Sequence, residues 1–194
     1  MKQALLLVDL QNDFFPGGTL GVGGANEIVP HINTLLKECV DLPVVVSRDW
    51  HPKDTCHFIE HGGSWPAHCV QDTEGAAFHK DVNIDLSSDR FFLCTKGTDP
   101  KNDGGYSAFE GLSESGQALE DTLKSLGVEQ LVVMGLATDY CVKHSVLDAL
   151  KRGFKVKLLL GAVRAVNVRP TDGEEALKEM ELAGADLIQP GWRP

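Results

Sequence analysis

Short apolar runs of strand length recur along the chain, each followed by residues at helical spacing, and this alternation narrows the fold more than any other feature. Residues 4–8 are apolar throughout, as a strand covered on both faces requires. Further strands are expected at 43–47, 91–95, 131–134, 156–160 and 186–188. Between them, 26–40 places Ile28, Val29, Ile32, Leu35 and Leu36 on one helical stripe. Leu119, Leu123 and Leu126 share a second, stopped by Gly127. Residues 139–151 carry Val142, Val146 and Leu150 at four-residue spacing up to Gly153, and 174–183 form a last helix. The pattern predicts an α/β fold: a three-layer, doubly wound, mostly parallel six-stranded sheet with helices on both faces, in one domain over 1–194.

Composition excludes several classes of function. A formal net charge of −10, with acids spread along the chain, is the wrong sign for a nucleic-acid backbone. The opening apolar run has only five residues before Asp9, too few for a secretory signal, and no run approaches the roughly 18 residues of a membrane span. Five cysteines, at 39, 56, 69, 94 and 141, form an odd set without framework spacing, which points to a reduced, cytoplasmic protein acting on a small molecule. Assembly into a homo-oligomer stays open.

In a sheet of this kind ligands bind beyond the carboxyl ends of the strands, so the residues that follow each strand carry the functional information. Asp9 follows the first strand, Asp49 with Trp50 and His51 the second, and Lys96 the third. The fourth runs through Gly135 to Cys141 and into a helix. With Thr138 or Asp139 as N-cap, Cys141 falls in the first helical turn, where the terminus and a nearby lysine favour thiolate. A carboxylate such as Asp9 can take the thiol proton, and Lys96 can hold that carboxylate ionised. Each residue also has a plainer reading: a buried structural cysteine, a loop cap, a surface charge.

The stretch 48–90 has little periodicity and holds five of the seven histidines. Asp49 and His51, two apart in an extended segment, point the same way, and His68 closes a loop back to them. A carboxylate with two imidazoles suits zinc, iron or manganese. His57, Glu60 and His61 lie inside the loop and can add a ligand, while Cys56 and Cys69 offer a rival zinc site built on thiolates.

The chain resembles nicotinamidases of the isochorismatase-like hydrolase superfamily. The matching segments are Leu-Val-Asp-Leu-Gln-Asn-Asp-Phe at 7–14, Asp-Trp-His-Pro at 49–52 and Trp-Pro-Ala-His-Cys at 65–69. They continue with Lys96-Gly97, Tyr-Ser-Ala-Phe at 106–109 and Gly-Leu-Ala-Thr-Asp-Tyr-Cys-Val at 135–142. The resemblance implies Cys141 as nucleophile, Asp9 as general base and Lys96 as third member of a triad. It implies a divalent metal, zinc before iron or manganese, on Asp49, His51 and His68, with His57 or Glu60 as a further ligand. It implies a cis Leu136–Ala137 peptide, an oxyanion hole from the amides of Ala137 and Cys141, and ring walls from Phe14, Trp65 and Tyr106. The implied activity is hydrolysis of nicotinamide to nicotinate and ammonia through a cysteine thioester, extending to pyrazinamide. The alternatives are another carboxamide hydrolase of the superfamily, a non-catalytic metal- or ligand-binding relative, and a hydrolase using metal-bound hydroxide.

Overall fold

Six parallel strands make one sheet among residues 1–192, the span that the computed structural model describes; Arg193 and Pro194, the end of the expected 1–194 domain, lie outside the described residues. The strands are β1 (Gln3–Val8), β2 (Val44–Asp49), β3 (Phe91–Lys96), β4 (Gln130–Leu136), β5 (Lys155–Arg164) and β6 (Asp186–Ile188). Their order is β3-β2-β1-β4-β5-β6, and every described pairing is parallel. The chain winds outward through β2 and β3 on one side of β1, then returns to β4 on the other. The sheet therefore has a switch point between β1 and β4, where a crevice opens beyond the carboxyl ends.

Successive residues of β1 point to opposite faces and bury into different cores. Leu5 and Leu7 pack with Ile32, Leu35 and Leu36 of α1 (Val29–Glu38). Ala4, Leu6 and Val8 pack with α2 (Leu119–Ser125), α3 (Lys143–Lys151) and α4 (Asp172–Leu182), through Leu123, Val146 and Met180 among others. Leu5, Leu6 and Leu7 are each fully buried. At about 1.5–3 kcal/mol per buried leucine, this one strand anchors both helical layers. The expected three-layer architecture is what the structure has.

Several elements differ in extent from the sequence expectation, two of them for reasons that the backbone makes plain. The first helix is expected from residue 26, but Ala25–Ile28 forms a 3₁₀ turn and the α-helix begins at Val29. Pro30 explains the break: it has no amide proton to donate back to residue 26, so it is accommodated only in the first turn of the α-helix. The fifth strand continues past Gly161 to Arg164, because the end of β4 follows it after a register shift, pairing Gly135 with Val163 and Leu136 with Arg164. Among the described residues no helix is long and apolar enough to cross a membrane.

Candidate active site

Parallel register sets Asp49, the last residue of β2, directly beside Lys96, the last residue of β3. Asp9 follows β1 one strand over, with a left-handed backbone (φ 49°) that is uncommon for a residue other than glycine and is typical of functional sites. The Lys96 ammonium, completely buried, lies 2.8 Å from Asp9 Oδ2 and is also paired with Asp49 Oδ1. It donates to the Gly105 carbonyl at 2.6 Å and stands 3.6 Å from Cys141 Sγ. Ser47 Oγ donates to the other Asp9 oxygen at 2.6 Å. The carboxylates of Asp9 and Asp49 and the Cys141 sulfur all lie within 4.8 Å of one another. The expected triad is therefore one buried cluster.

Its electrostatics differ from the expectation for the thiol. Burial works to lower the Lys96 pKa, but Asp49 and Asp9 outweigh it and hold the ammonium charged. Burial also works to raise Asp49, yet Lys96 and the neighbouring imidazoles keep its carboxyl below the usual range. Burial raises Asp9 in spite of Lys96. Cys141 was expected to be held as thiolate by Lys96 and a helix terminus. Instead burial pushes its thiol well up; Lys96 opposes this, and the two carboxylates reinforce it. The resting sulfur keeps its proton, with Asp9 beside it.

The helix terminus is also not the one expected. Thr138–Val142 forms a wide π-type turn kinked at Tyr140 (φ −124°, ψ −105°), and α3 begins only at Lys143. Neither Thr138 nor Asp139 caps it; the Asp139 carboxylate instead accepts from the amides of Val166 and Asn167, at 2.9 and 2.8 Å. The Leu136–Ala137 peptide is cis.

Beside this cluster stand three buried imidazoles, His51, His57 and His68, each offering a nitrogen within 4.8 Å of the others. Each ring is tethered through Nδ1 to an oxygen that can only accept. The partners are the Gly97 carbonyl for His51 (3.0 Å), the Pro66 carbonyl for His68 (2.8 Å) and Asp103 Oδ1 for His57 (2.5 Å). The Nδ1 atoms therefore carry the protons, and the Nε2 lone pairs are bare. His51 Nε2 is buried without a hydrogen-bond partner, 3.8 Å from Asp49 Oδ2. An orphaned buried acceptor is costly, and a cation among three imidazoles and a carboxylate would satisfy it. Burial lowers the His68 pKa to about 4, and also lowers that of His57, which keeps both rings neutral and able to coordinate. These residues fit a divalent metal.

Of the two candidate extra ligands, His57 joins this group, while Glu60 is exposed on a 3₁₀ turn outside it. Neither Cys56 nor Cys69 belongs to a donor group among the described residues, so the thiolate zinc site is not formed. His61 is exposed.

A narrow cleft, partly open to solvent, reaches both groups: its lining includes Asp49, the three imidazoles and Cys141. Phe14, Trp65, Tyr106 and Ala137 line it as expected; Leu20, Tyr140 and Val166 line it too and were not singled out from sequence. Trp65 Nε1 donates to Tyr106 Oη at 2.9 Å, and the Tyr140 ring lies edge-on to Trp65. Nothing local marks Leu20 or Val166, which reach the cleft from distant loops. Tyr140 lies in a segment whose kink no periodicity shows.

An isochorismatase domain model matches residues 3–189. Over 202 aligned residues the chain is 39% identical to the nicotinamidase of Escherichia coli (strain K12), covering 95% of this chain and 93% of that one. A crystal structure of the pyrazinamidase of Pyrococcus horikoshii in complex with zinc superposes with a TM-score of 0.86 at 40% identity, covering 97% and 99% of the two chains. PnC1 from L. infantum, solved with nicotinate, gives 0.85 at 34% identity, covering 97% and 92%. Fold and sequence thus agree over nearly the whole length, and the chain belongs to the isochorismatase family.

Proposed function

We propose that this chain is a nicotinamidase, converting nicotinamide to nicotinate and ammonia through a thioester on Cys141, and that pyrazinamide is a second substrate. The observation that carries the proposal is the convergence of Cys141, Asp9 and Lys96 at the wall of an aromatic cleft that also holds the three imidazoles. The reaction follows from the protonation states. Asp9 takes the proton of the Cys141 thiol as the sulfur attacks the carboxamide carbon. Lys96, held charged, offsets the negative charge that remains on the pair. The amides of Ala137 and Cys141 take the developing oxyanion. Asp9 then hands its proton to the departing ammonia. In the second half Asp9 accepts a proton from water as the water oxygen attacks the thioester. The C–S bond breaks, Asp9 returns its proton to the sulfur, and the nicotinic acid released loses its own proton to solvent to give nicotinate.

Phe14, Trp65 and Tyr106 hold the ring between them, with Tyr140 at the edge. Asp49, His51, His57 and His68 would hold the divalent metal, for which zinc is our assignment, before iron or manganese. Such an ion supplies a Lewis-acidic anchor for the ring nitrogen. A cytoplasmic location fits a nucleophile that must stay reduced.

The test is ammonia release from nicotinamide, pyrazinamide and benzamide side by side, with mass spectrometry of acid-quenched enzyme. Turnover of the two ring-nitrogen substrates, poor turnover of benzamide and an acyl adduct on Cys141 are expected. Equal turnover of benzamide together with an active Cys141→Ala variant would move the chemistry from the sulfur to metal-bound hydroxide.

A further inference from the structure

The segment 97–106, between β3 and the 3₁₀ turn Ala108–Glu110, is bound at several points to the loop that carries the imidazoles. The Gly97 carbonyl receives His51, the Pro100 carbonyl receives the Cys56 amide at 2.8 Å, and Tyr106 receives the Trp65 indole. Asp103 adds the bond to His57, at 2.5 Å across 46 residues of sequence. Of the three oxygens that hold the imidazoles, those facing His51 and His68 belong to the backbone. The one facing His57 is a side chain and carries a charge. His57 also stacks on His51, ring centroids 4.8 Å apart and planes 19° from parallel, so its ring plane is set by packing and its tautomer by Asp103. A ring held only by stacking could turn over or place its proton on Nε2, and either change would remove the lone pair that faces the other two imidazoles.

We propose that Asp103 is the positioning residue of the metal site: its carboxylate fixes His57 with the proton on Nδ1 and makes Nε2 the more basic for it, so that this chain uses His57 as a full metal ligand. This rests on the reading of Asp49, His51, His57 and His68 as the metal site. A carboxylate behind a ligating histidine commonly contributes a factor of about 10–100 in metal affinity. Asp103 is half exposed, so its charge is partly screened and the lower end of that range is expected.

The experiment extracts zinc from the zinc-loaded protein with graded chelator, in the parent and in Asp103→Ala, Asp103→Asn, His57→Ala, His51→Ala and the double variant Asp103→Ala/His57→Ala. Asp103→Ala should lose zinc at roughly tenfold lower chelator strength than the parent. Asp103→Asn keeps an oxygen that can accept from Nδ1 and should fall between the two. Adding Asp103→Ala to His57→Ala should change affinity by less than about twofold, because the ligand through which it acts is gone. Cobalt-loaded Asp103→Ala should show altered visible bands, which a purely structural role away from the metal would leave alone. Asp103→Ala that binds zinc like the parent while His51→Ala does not, or that weakens zinc equally with and without His57, overturns the role of Asp103 and leaves the metal site standing. A parent protein that holds no zinc, or His51→Ala without effect, overturns the metal-site reading and this proposal with it.

Discussion

Ser47 shows how the buried cluster depends on a residue that does not line the cleft. Its hydroxyl donates to Asp9 and counts among the interactions that restrain the carboxyl from rising further. The direction of the effect follows. In the proposed mechanism Asp9 accepts a proton only when ionised, so activity should fall as pH drops through its apparent pKa. Removing the Ser47 donor raises that pKa. Ser47→Ala should therefore shift the acid limb of the kcat/KM profile to higher pH, and an unmoved limb would separate Ser47 from the base. Asp9→Asn, which removes the acceptor, should cost about 10²–10⁴ in rate across the profile. At Cys94 burial pushes the thiol pKa up to about 12, and its Sγ is bonded to the Ala108 carbonyl at 3.2 Å. Cys94→Ala should leave the rate per folded molecule nearly intact, whereas Cys141→Ala should abolish turnover with the fold kept. Assays on protein matched by circular dichroism distinguish these outcomes.

At the scale of elements, the site exists because β1 and β4 approach closely at their carboxyl ends. Gly135 has φ +127°, and a β-carbon there would stand 2.1 Å from the Val8 carbonyl oxygen. That contact is backbone against backbone, so no side-chain rotation relieves it. Gly135→Ala combines an unfavourable φ with overpacking, each worth about 1–3 kcal/mol, and should cost roughly 2–6 kcal/mol. Chemical denaturation of the variant measures this, and parent-like stability would contradict the close approach. The loop after β3 has its own anchor. Glu110 accepts from the amides of Gly105 (2.8 Å) and Ser107 (2.9 Å), which aims the Gly105 carbonyl at Lys96.

For the whole molecule, the buried imidazoles tie stability to pH. His68 has a folded pKa of about 4 against an ordinary value of 6.5, because burial disfavours its charged form. The unfolded chain therefore takes up a proton more readily than the folded one as pH falls. The contribution is fully present above pH 6.5 and is lost between there and about pH 4. At about 1.4 kcal/mol per pH unit across that window, the contribution amounts to about 3–4 kcal/mol for the metal-free protein. Urea midpoints in the presence of chelator should fall over that window. On the proposed metal site, a zinc ion would bind the neutral rings, so adding zinc should raise the melting temperature at pH 7 and lose that effect toward pH 4.

The alternation of apolar runs with helical stripes determined the layers and the strand sequence, because a buried parallel strand and an amphipathic helix each leave a distinct period in the residues. The polar residue after each strand could be read from position alone: Asp9, Asp49 and Lys96 close their strands, and the sheet must bring those ends together. Cys141 was legible for the same reason. Its ionisation was not, since the thiol pKa depends on burial and on two carboxylates that are distant in sequence. The kink at Tyr140 and the diversion of Asp139 to the Val166 and Asn167 amides were likewise invisible, because a local capping pattern does not reveal a competing partner 27 residues away. Sequence could not choose between His57 and Glu60, three residues apart in an aperiodic loop. Tertiary structure places them differently: Asp103 and the stacked His51 ring hold His57 inward beside the other imidazoles, while the 3₁₀ turn carries Glu60 out to solvent.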